Sequence, residues 1–521
     1  MRPAFCLQEH FNIFKTDRLL QREVFMKMKR KSGILMHPTS LPGHGGIGTL
    51  GEETRKFLKF LHEAGQSLWQ VLPLGPTAYG NSPYSCYSAF AGNPLLIDLN
   101  SVAADGDLEE PVQPQLASED RVDYAAVAAW KYPLLSRAAQ RFIEASDSHH
   151  LQDFEDFCAD NVWLEDYALF MALKEHFEGA GWSDWPEEIA RRLPSAIAEY
   201  TDKLRTSILV QKYMQWQFFR QWREVKRFAN DLGIDIFGDI PIFVAYDSAD
   251  VWVHREIFKL DERGLPLVVA GVPPDYFSET GQLWGNPVYD WDAIAADGYS
   301  WWIQRLRSSL QLYDLVRIDH FRGFAAYWEV AATEETAING RWVTGPGEKL
   351  FNAVSNALGE PLPIIAEDLG LITPDVEKLL DTCGFPGMKV LHFAFGSGSD
   401  NYYLPHNYSP QCVVYTGTHD NNTTRGWFNE VGENERQHAM SYLRCSPQEI
   451  VWEMIRAAYS SVAAYAVIPV QDLFSLDSGA RMNTPGLSQG NWEWRLPPGL
   501  LWNFQLAEEL KAITSFYNRL A

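Results

Sequence analysis

Acidic residues close four short apolar runs, the arrangement expected where several carboxyl groups must meet around one substrate. Asp239 stands in Gly238-Asp239-Ile240-Pro241 and Asp319 in Leu315-Val316-Arg317-Ile318-Asp319-His320. Glu367 and Asp368 end Pro363-Ile364-Ile365-Ala366-Glu367-Asp368, and His419 and Asp420 follow Cys412–Tyr415 in the turn Thr416-Gly417-Thr418-His419-Asp420. Side chains alternate along a strand, so Arg317 and Asp319 share one face while Val316 and Ile318 pack on the other. A permanent cation beside Asp319 favours the charged form that a carboxylate nucleophile needs. Glu367 and Asp368 face opposite ways, and alternation does not choose between them. Each motif alone also reads as a structural ion pair or a polar capping turn. Together they match cleavage of a glycosidic bond, which calls for a carboxylate nucleophile, a carboxylic acid and further polar groups around an oxocarbenium-like centre.

The elements that must position these groups recur along the chain. Apolar, β-rich runs span Gly33–Met36, Trp69–Leu74, Ile234–Val244, Leu315–Asp319, Pro363–Glu367, Met388–Phe395, Cys412–Tyr415 and Ala464–Val470, and helical stretches follow them. Parallel strands with right-handed crossovers close into a (β/α)₈ barrel whose active site lies at the carboxyl ends of the strands. A βα unit needs about 30 residues, so two gaps must hold insertions. The first, about 93–205, reads mainly as a helical subdomain. The second, about 246–300, is rich in Gly, Pro and aromatic residues and reads as long active-site loops overhanging the strand ends. Residues 1–30 show no clear element and read as a disordered N-terminal extension or an over-called start, ahead of a catalytic barrel over 31–521.

Composition bounds the partners. The net charge of −23, with no basic stripe outside residues 15–31, disfavours nucleic acid. No segment approaches the ~18 consecutive apolar residues of a membrane span. The basic cluster Lys27, Lys29, Arg30 and Lys31 lacks the apolar run of an export signal. Six cysteines without CxxC spacing suggest neither a disulfide framework nor a zinc site, and a reducing cytoplasm fits best. No His/Cys/carboxylate cluster has metal-ligand spacing, so no metal or organic cofactor is expected. An aromatic content of 13% leaves many rings that could stack on sugars, although most serve the core.

The motifs resemble those of 4-α-glucanotransferases of the amylomaltase type, also called disproportionating enzymes, glycoside hydrolase family 77, related to the α-amylase group. The likeness runs from Gly33 onward through HPTSLPG (37–43), GNSPYSCYSAFAGNPLLIDL (80–99), GDIPIFVAYDSADVW (238–252), GQLWGNPVYDW (281–291), RIDHFRGF (317–324), AEDLG (366–370), PGMKVLHFAF (386–395), YTGTHDNNTT (415–424), RMNTPG (481–486) and NWEWR (491–495).

The resemblance implies Asp319 as nucleophile, Glu367 as general acid/base and Asp420 as transition-state stabiliser, which leaves Asp368 a structural role. It implies that Asp239, Arg317, His320 and His419 line the sugar subsite and that Tyr84 stacks on that sugar. Tyr276, Phe277, Gln282 and Trp284 match a flexible lid on the acceptor side. The implied reaction is transfer of a 1,4-α-glucan segment to the 4-hydroxyl of glucose or another glucan, by retaining double displacement. Maltooligosaccharides and starch- or glycogen-derived glucans are the implied substrates, with no obligate protein partner. Leu487 follows Pro485-Gly486 where the family often has Thr, and Cys86 sits in the sugar-side loop. The competing readings are an α-amylase-type hydrolase, in which water intercepts the intermediate, and a non-catalytic glucan-binding protein on the same scaffold.

Overall fold

The computed structural model describes residues 29–520 apart from 44, 110–118, 146–149, 275–277, 371, 488 and 501–502. Each of the eight apolar runs contributes a strand. They are β1 (Lys31–Leu35), β2 (Leu68–Gln70), β3 (Asp235–Pro241), β6 (Leu315–Asp319), β9 (Ile364–Ala366), β10 (Gly387–Val390), β11 (Cys412–Tyr415) and β12 (Tyr465–Pro469). All neighbours are parallel, in the order β10-β11-β12-β1-β2-β3-β6-β9. The two ends of that sheet meet where the Ala366 N–H donates to the Pro386 carbonyl at 2.9 Å, which nearly closes a (β/α)₈ barrel. The run Met388–Phe395 ends as a strand at Val390 and continues as a 3₁₀ turn, Leu391–Phe393.

Strand composition follows the surroundings. Val316 and Ile318 of β6 are wholly buried against the outer layer, where Tyr313 packs so closely that a Cβ on Gly238 would lie 2.2 Å from its ring. Arg317 points inward instead, buried with Asp239 of β3, its partner in register. The guanidinium meets Asp239 at Oδ2, an ion-pair contact that offsets part of the cost of burying both groups.

Between β2 and β3 lie helices Tyr124–Glu144, Leu151–Asp160, Trp163–His176, Pro194–Lys203 and Arg205–Asp231, together with shorter turns. The longest is buried without a break over Tyr213–Phe218, continues in a stripe of Trp222, Val225 and Ala229 at helical spacing, and leads directly into β3. Tyr124–Glu144 starts where Asp123 accepts from the Ala126 N–H at 3.0 Å, satisfying a free amide of the first turn.

The aromatic-rich stretch after β3 is more regular than its composition indicates. It holds β4 (Val268–Val272) and β5 (Gln282–Pro287), which join β7 (Ala326–Ala331) and β8 (Gly340–Thr344) in an antiparallel sheet of order β5-β4-β7-β8. The pairing of Val268 with Ala331 and of Gly271 with Trp328 supplies the partners that a loop reading leaves out. Because β7 and β8 follow β6 directly, this second sheet is tied to the strand carrying Asp319, and β5 reaches back over its end. Among the described residues no helix is long and apolar enough to cross a membrane. The N-terminal extension expected over residues 1–30 falls outside the described residues as far as residue 28.

Candidate active site

The carboxyl ends of β3, β6, β9 and β11 bring the acidic residues to one face of the barrel. Arg317 organises the centre: its Nη1 donates to Asp239 Oδ2 at 2.6 Å and its Nη2 to Asp319 Oδ1 at 2.7 Å. Its Nε lies 3.4 Å from Met388 Sδ, so the guanidinium spans the barrel interior from β3 to β10. Tyr84 completes this corner by donating its hydroxyl to Asp239 Oδ2 at 2.8 Å. Burial pushes the Asp239 carboxyl up to about 7, with Asp319 adding to the rise, while Arg317 and the Tyr84 hydroxyl act against it.

Glu367 occupies the neighbouring strand end, since Ile318 pairs with Ala366 in register. Its Oε2 accepts the backbone N–H of His320 at 2.8 Å and its Oε1 that of Leu369 at 2.9 Å. His320 can present that N–H because its backbone is left-handed, with φ 53°. Burial first, and then the charge of Asp319, raise the Glu367 carboxyl to about 8, although Arg317 and both backbone amides oppose the shift. Burial and the neighbouring Asp319 carboxyl group thus both favour the neutral acid form of Glu367, the form a proton donor needs. Asp368 turns the other way. It accepts the Met388 N–H at 2.6 Å and the Tyr402 hydroxyl at 3.4 Å, anchoring the chain between β9 and β10.

Asp420 projects from a turn braced at both ends. Thr416 Oγ1 and Thr424 Oγ1 each donate to Asp472 Oδ2 at 2.6 Å, and the Thr424 N–H donates to Asp472 Oδ1 at 2.8 Å. Within the turn, Asn421 Oδ1 accepts from the Thr418 amide at 2.8 Å. His419 Nε2 is 3.3 Å from Asp420 Oδ2, and its ring stacks on Tyr84 with centroids 5.2 Å apart and planes at 16°. Burial lowers the pKa of both His320, to about 4, and His419, so each acts as a neutral hydrogen-bonding ring near pH 7.

Trp284 of β5 crosses the opposite side. Its ring meets His320 edge-on at 4.7 Å, and its Nε1 donates to Gln282 Oε1 at 3.1 Å. The ring remains 37% exposed. Two contact networks thus meet at the Asp319–His320 peptide: one joins Asp319, Arg317, Asp239, Tyr84, His419 and Asp420, and the other joins Glu367, His320, Trp284 and Gln282. Tyr276 and Phe277, expected on the same lid, lie outside the described residues.

Other groups reach the site without having been singled out from sequence. Asn483 donates to Asp420 Oδ1, Arg481 to the Asp420 carbonyl, and Trp492 packs on Tyr84 and His419. The motifs RMNTPG and NWEWR carried these residues, but nothing in their local spacing identifies a contact made across 63 positions. Among the described residues no group of three His, Cys, Asp or Glu is placed to hold a metal ion.

The family model described as 4-alpha-glucanotransferase matches residues 36–501. A 4-alpha-glucanotransferase of Synechocystis sp. is 53% identical over 497 residues, covering 94% of this chain and 98% of its own. One from Thermus thermophilus is 53% identical over 487 residues, covering 91% and 96%. The structure of an amylomaltase from Streptococcus agalactiae, solved in complex with acarbose, superposes with a TM-score of 0.92 at 41% identity, covering 95% of this chain and all of that one. With a barrel of this shape and a match of this extent, the chain belongs to the 4-alpha-glucanotransferases of glycoside hydrolase family 77.

Proposed function

We propose that this 4-alpha-glucanotransferase works by retaining double displacement, with Asp319 as nucleophile, Glu367 as general acid/base and Asp420 as transition-state stabiliser. The observation that carries the reading is the pairing of Asp319 and Glu367 on adjacent strand ends. One carboxyl group is held by an arginine, and in the other burial and its neighbour's charge favour the protonated form. In the first step Glu367 gives its proton to the oxygen of the scissile bond, the C–O bond breaks, and Asp319 Oδ bonds to the anomeric carbon. Forming that ester removes the charge of Asp319 and with it one cause of the raised Glu367 pKa. Glu367 is then better able to accept the proton of the incoming 4-hydroxyl, whose oxygen displaces Asp319 and restores the starting configuration.

Asp239, Arg317, His320, His419 and Tyr84 line the subsite of the sugar that becomes attached. The Tyr84 ring, already stacked on His419, presents a flat apolar surface for that sugar. Gln282 and Trp284 form the acceptor side, with Tyr276 and Phe277 close by in sequence. The substrates are maltooligosaccharides and starch- or glycogen-derived 1,4-α-glucans, with glucose as the smallest acceptor. The five described cysteines are free thiols, which suits a reducing compartment such as the cytoplasm.

Maltotriose supplied alone tests transfer against hydrolysis. Transfer yields a ladder of shorter and longer chains with a constant number of reducing ends; shorter products alone, with rising reducing ends, contradict the reading. Trp284→Ala removes the ring that stacks on the acceptor. An aromatic contact contributes roughly 0.5–1.5 kcal/mol, so the ratio of transfer to hydrolysis falls about 2- to 12-fold while cleavage of the donor persists. Reducing-end release measured beside ladder formation checks this, and an unchanged ratio rejects the acceptor role of Trp284.

A further inference from the structure

The segment that follows β12 returns over the strand ends and grips the peptide carrying Asp420 from both sides. Asn483 Nδ2 donates to Asp420 Oδ1 at 2.6 Å, and the Asn483 amide donates to the His419 carbonyl at 3.1 Å. Arg481 Nη2 donates to the Asp420 carbonyl at 2.7 Å, and Arg481 Nε to the Asn483 carbonyl at 2.8 Å. Trp492, whose N–H donates to the Met482 carbonyl at 2.8 Å, lays its ring against His419 and Tyr84 with centroids at 5.8 and 5.9 Å. The segment therefore contributes directly to the wall of the sugar subsite.

The two carboxylates are held by different chemistry. Asp319 is paired with a guanidinium, whereas the donor on Asp420 Oδ1 is a neutral amide. The nearby guanidinium of Arg481 is directed at main-chain carbonyls. An amide fixes the orientation of a carboxylate without placing a positive charge on it that would compete with a cationic centre. It engages Oδ1 and leaves Oδ2 beside the His419 ring, 3.3 Å from its Nε2. We propose that Asn483 is a positioning residue of the transfer reaction, orienting Asp420 toward the distorted sugar through an uncharged hydrogen bond. This rests on the assignment of Asp420 as the transition-state stabiliser.

Asn483→Ala, Asn483→Ser and Asn483→Asp, with Asp420→Asn as reference, test it through the pH profile of maltotriose disproportionation. Loss of one orienting hydrogen bond that matters in the transition state lowers kcat about 10- to 100-fold, with KM changed by no more than about twofold. Serine, which keeps a donor, recovers part of that loss. Asn483→Asp sets two carboxylates face to face, so the pair holds a proton at higher pH than either would alone. When that proton is bound, the new acid donates to Asp420 as asparagine did. The ratio of the Asn483→Asp rate to the parent rate therefore rises as pH falls from 8 toward about 5. A purely structural role predicts a ratio independent of pH together with a lowered unfolding temperature.

A flat ratio in Asn483→Asp, or parent-like kcat in Asn483→Ala, overturns the proposal. Full turnover in Asp420→Asn strikes instead at the assignment of Asp420 itself, so the two failures are distinguishable.

Discussion

Replacing Asp319 with alanine lowers glucan transfer by at least about 10⁴-fold while leaving the fold intact. A nucleophile and its acid/base partner act as one unit, and removing the attacking atom removes the covalent path altogether. The side chain is partly exposed at 31%, and Arg317 keeps Asp239 as its buried partner in the variant, so the structural cost is small. What remains is a cavity beside a guanidinium that has lost one acceptor. A small anion such as azide is expected to enter it and attack the same face of the sugar, giving a β-glucosyl product and partial rescue of donor cleavage. Turnover measured on maltotriose, with product analysis in the presence and absence of azide, checks both parts. Full turnover without Asp319 contradicts the assignment.

The second large effect belongs to Glu367. Glutamine at this position abolishes proton transfer to the leaving sugar and lowers transfer from maltotriose about 10²- to 10⁴-fold. A donor with a good leaving group, such as α-glucosyl fluoride, needs no such proton. Its first step survives, whereas the second step, which needs a base, is slowed. In the parent enzyme kcat/KM falls as pH rises through about 8, where the free enzyme loses the Glu367 proton. The sign follows from the causes: burial and the Asp319 charge favour the neutral acid, so activity is kept below that pH and lost above it. Asp319→Asn removes one of those causes and moves the Glu367 titration downward, which isotope-edited infrared or NMR spectroscopy of the carboxyl group detects. An unmoved titration means that Asp319 does not set the acid's pKa. Because His320 and Leu369 both direct N–H groups at this side chain, glutamine must turn its NH₂ toward one of them. Unfolding temperature is therefore measured alongside the kinetics, with Glu367→Ala as a second variant.

The barrel was legible because its strands obey simple local rules. Apolar runs such as Leu315–Asp319 and Cys412–Tyr415 coincide with their strands to the residue, since burial on one or both faces leaves a pattern that needs no distant information. The antiparallel sheet was less so. β5, Gln282–Pro287, contains Gly285, Asn286 and Pro287 and carries little strand signal; it exists because β4 pairs with it on one side and with β7 on the other. In the site, alternation correctly set Arg317 beside Asp319 but left Glu367 and Asp368 equivalent. The distinction depends on which carboxyl meets the backbone amides of His320 and Leu369 and which meets that of Met388, and these are tertiary contacts. The Trp284–His320 contact was accessible only through family likeness, and the contact of Asn483 with Asp420 through no sequence signal. Sequence periodicity reports which face is buried. It carries no record of which long-range partner a polar side chain finds.

The covalent intermediate tests the account most directly. Glu367→Gln enzyme treated with α-glucosyl fluoride forms the glycosyl-enzyme and is slow to release it, so proteolysis and mass spectrometry locate the sugar. The account predicts one glucosyl increment on the peptide containing Asp319, through an ester to that side chain. A label on Asp420 or another residue, or turnover to an inverted product with no labelled peptide, contradicts it.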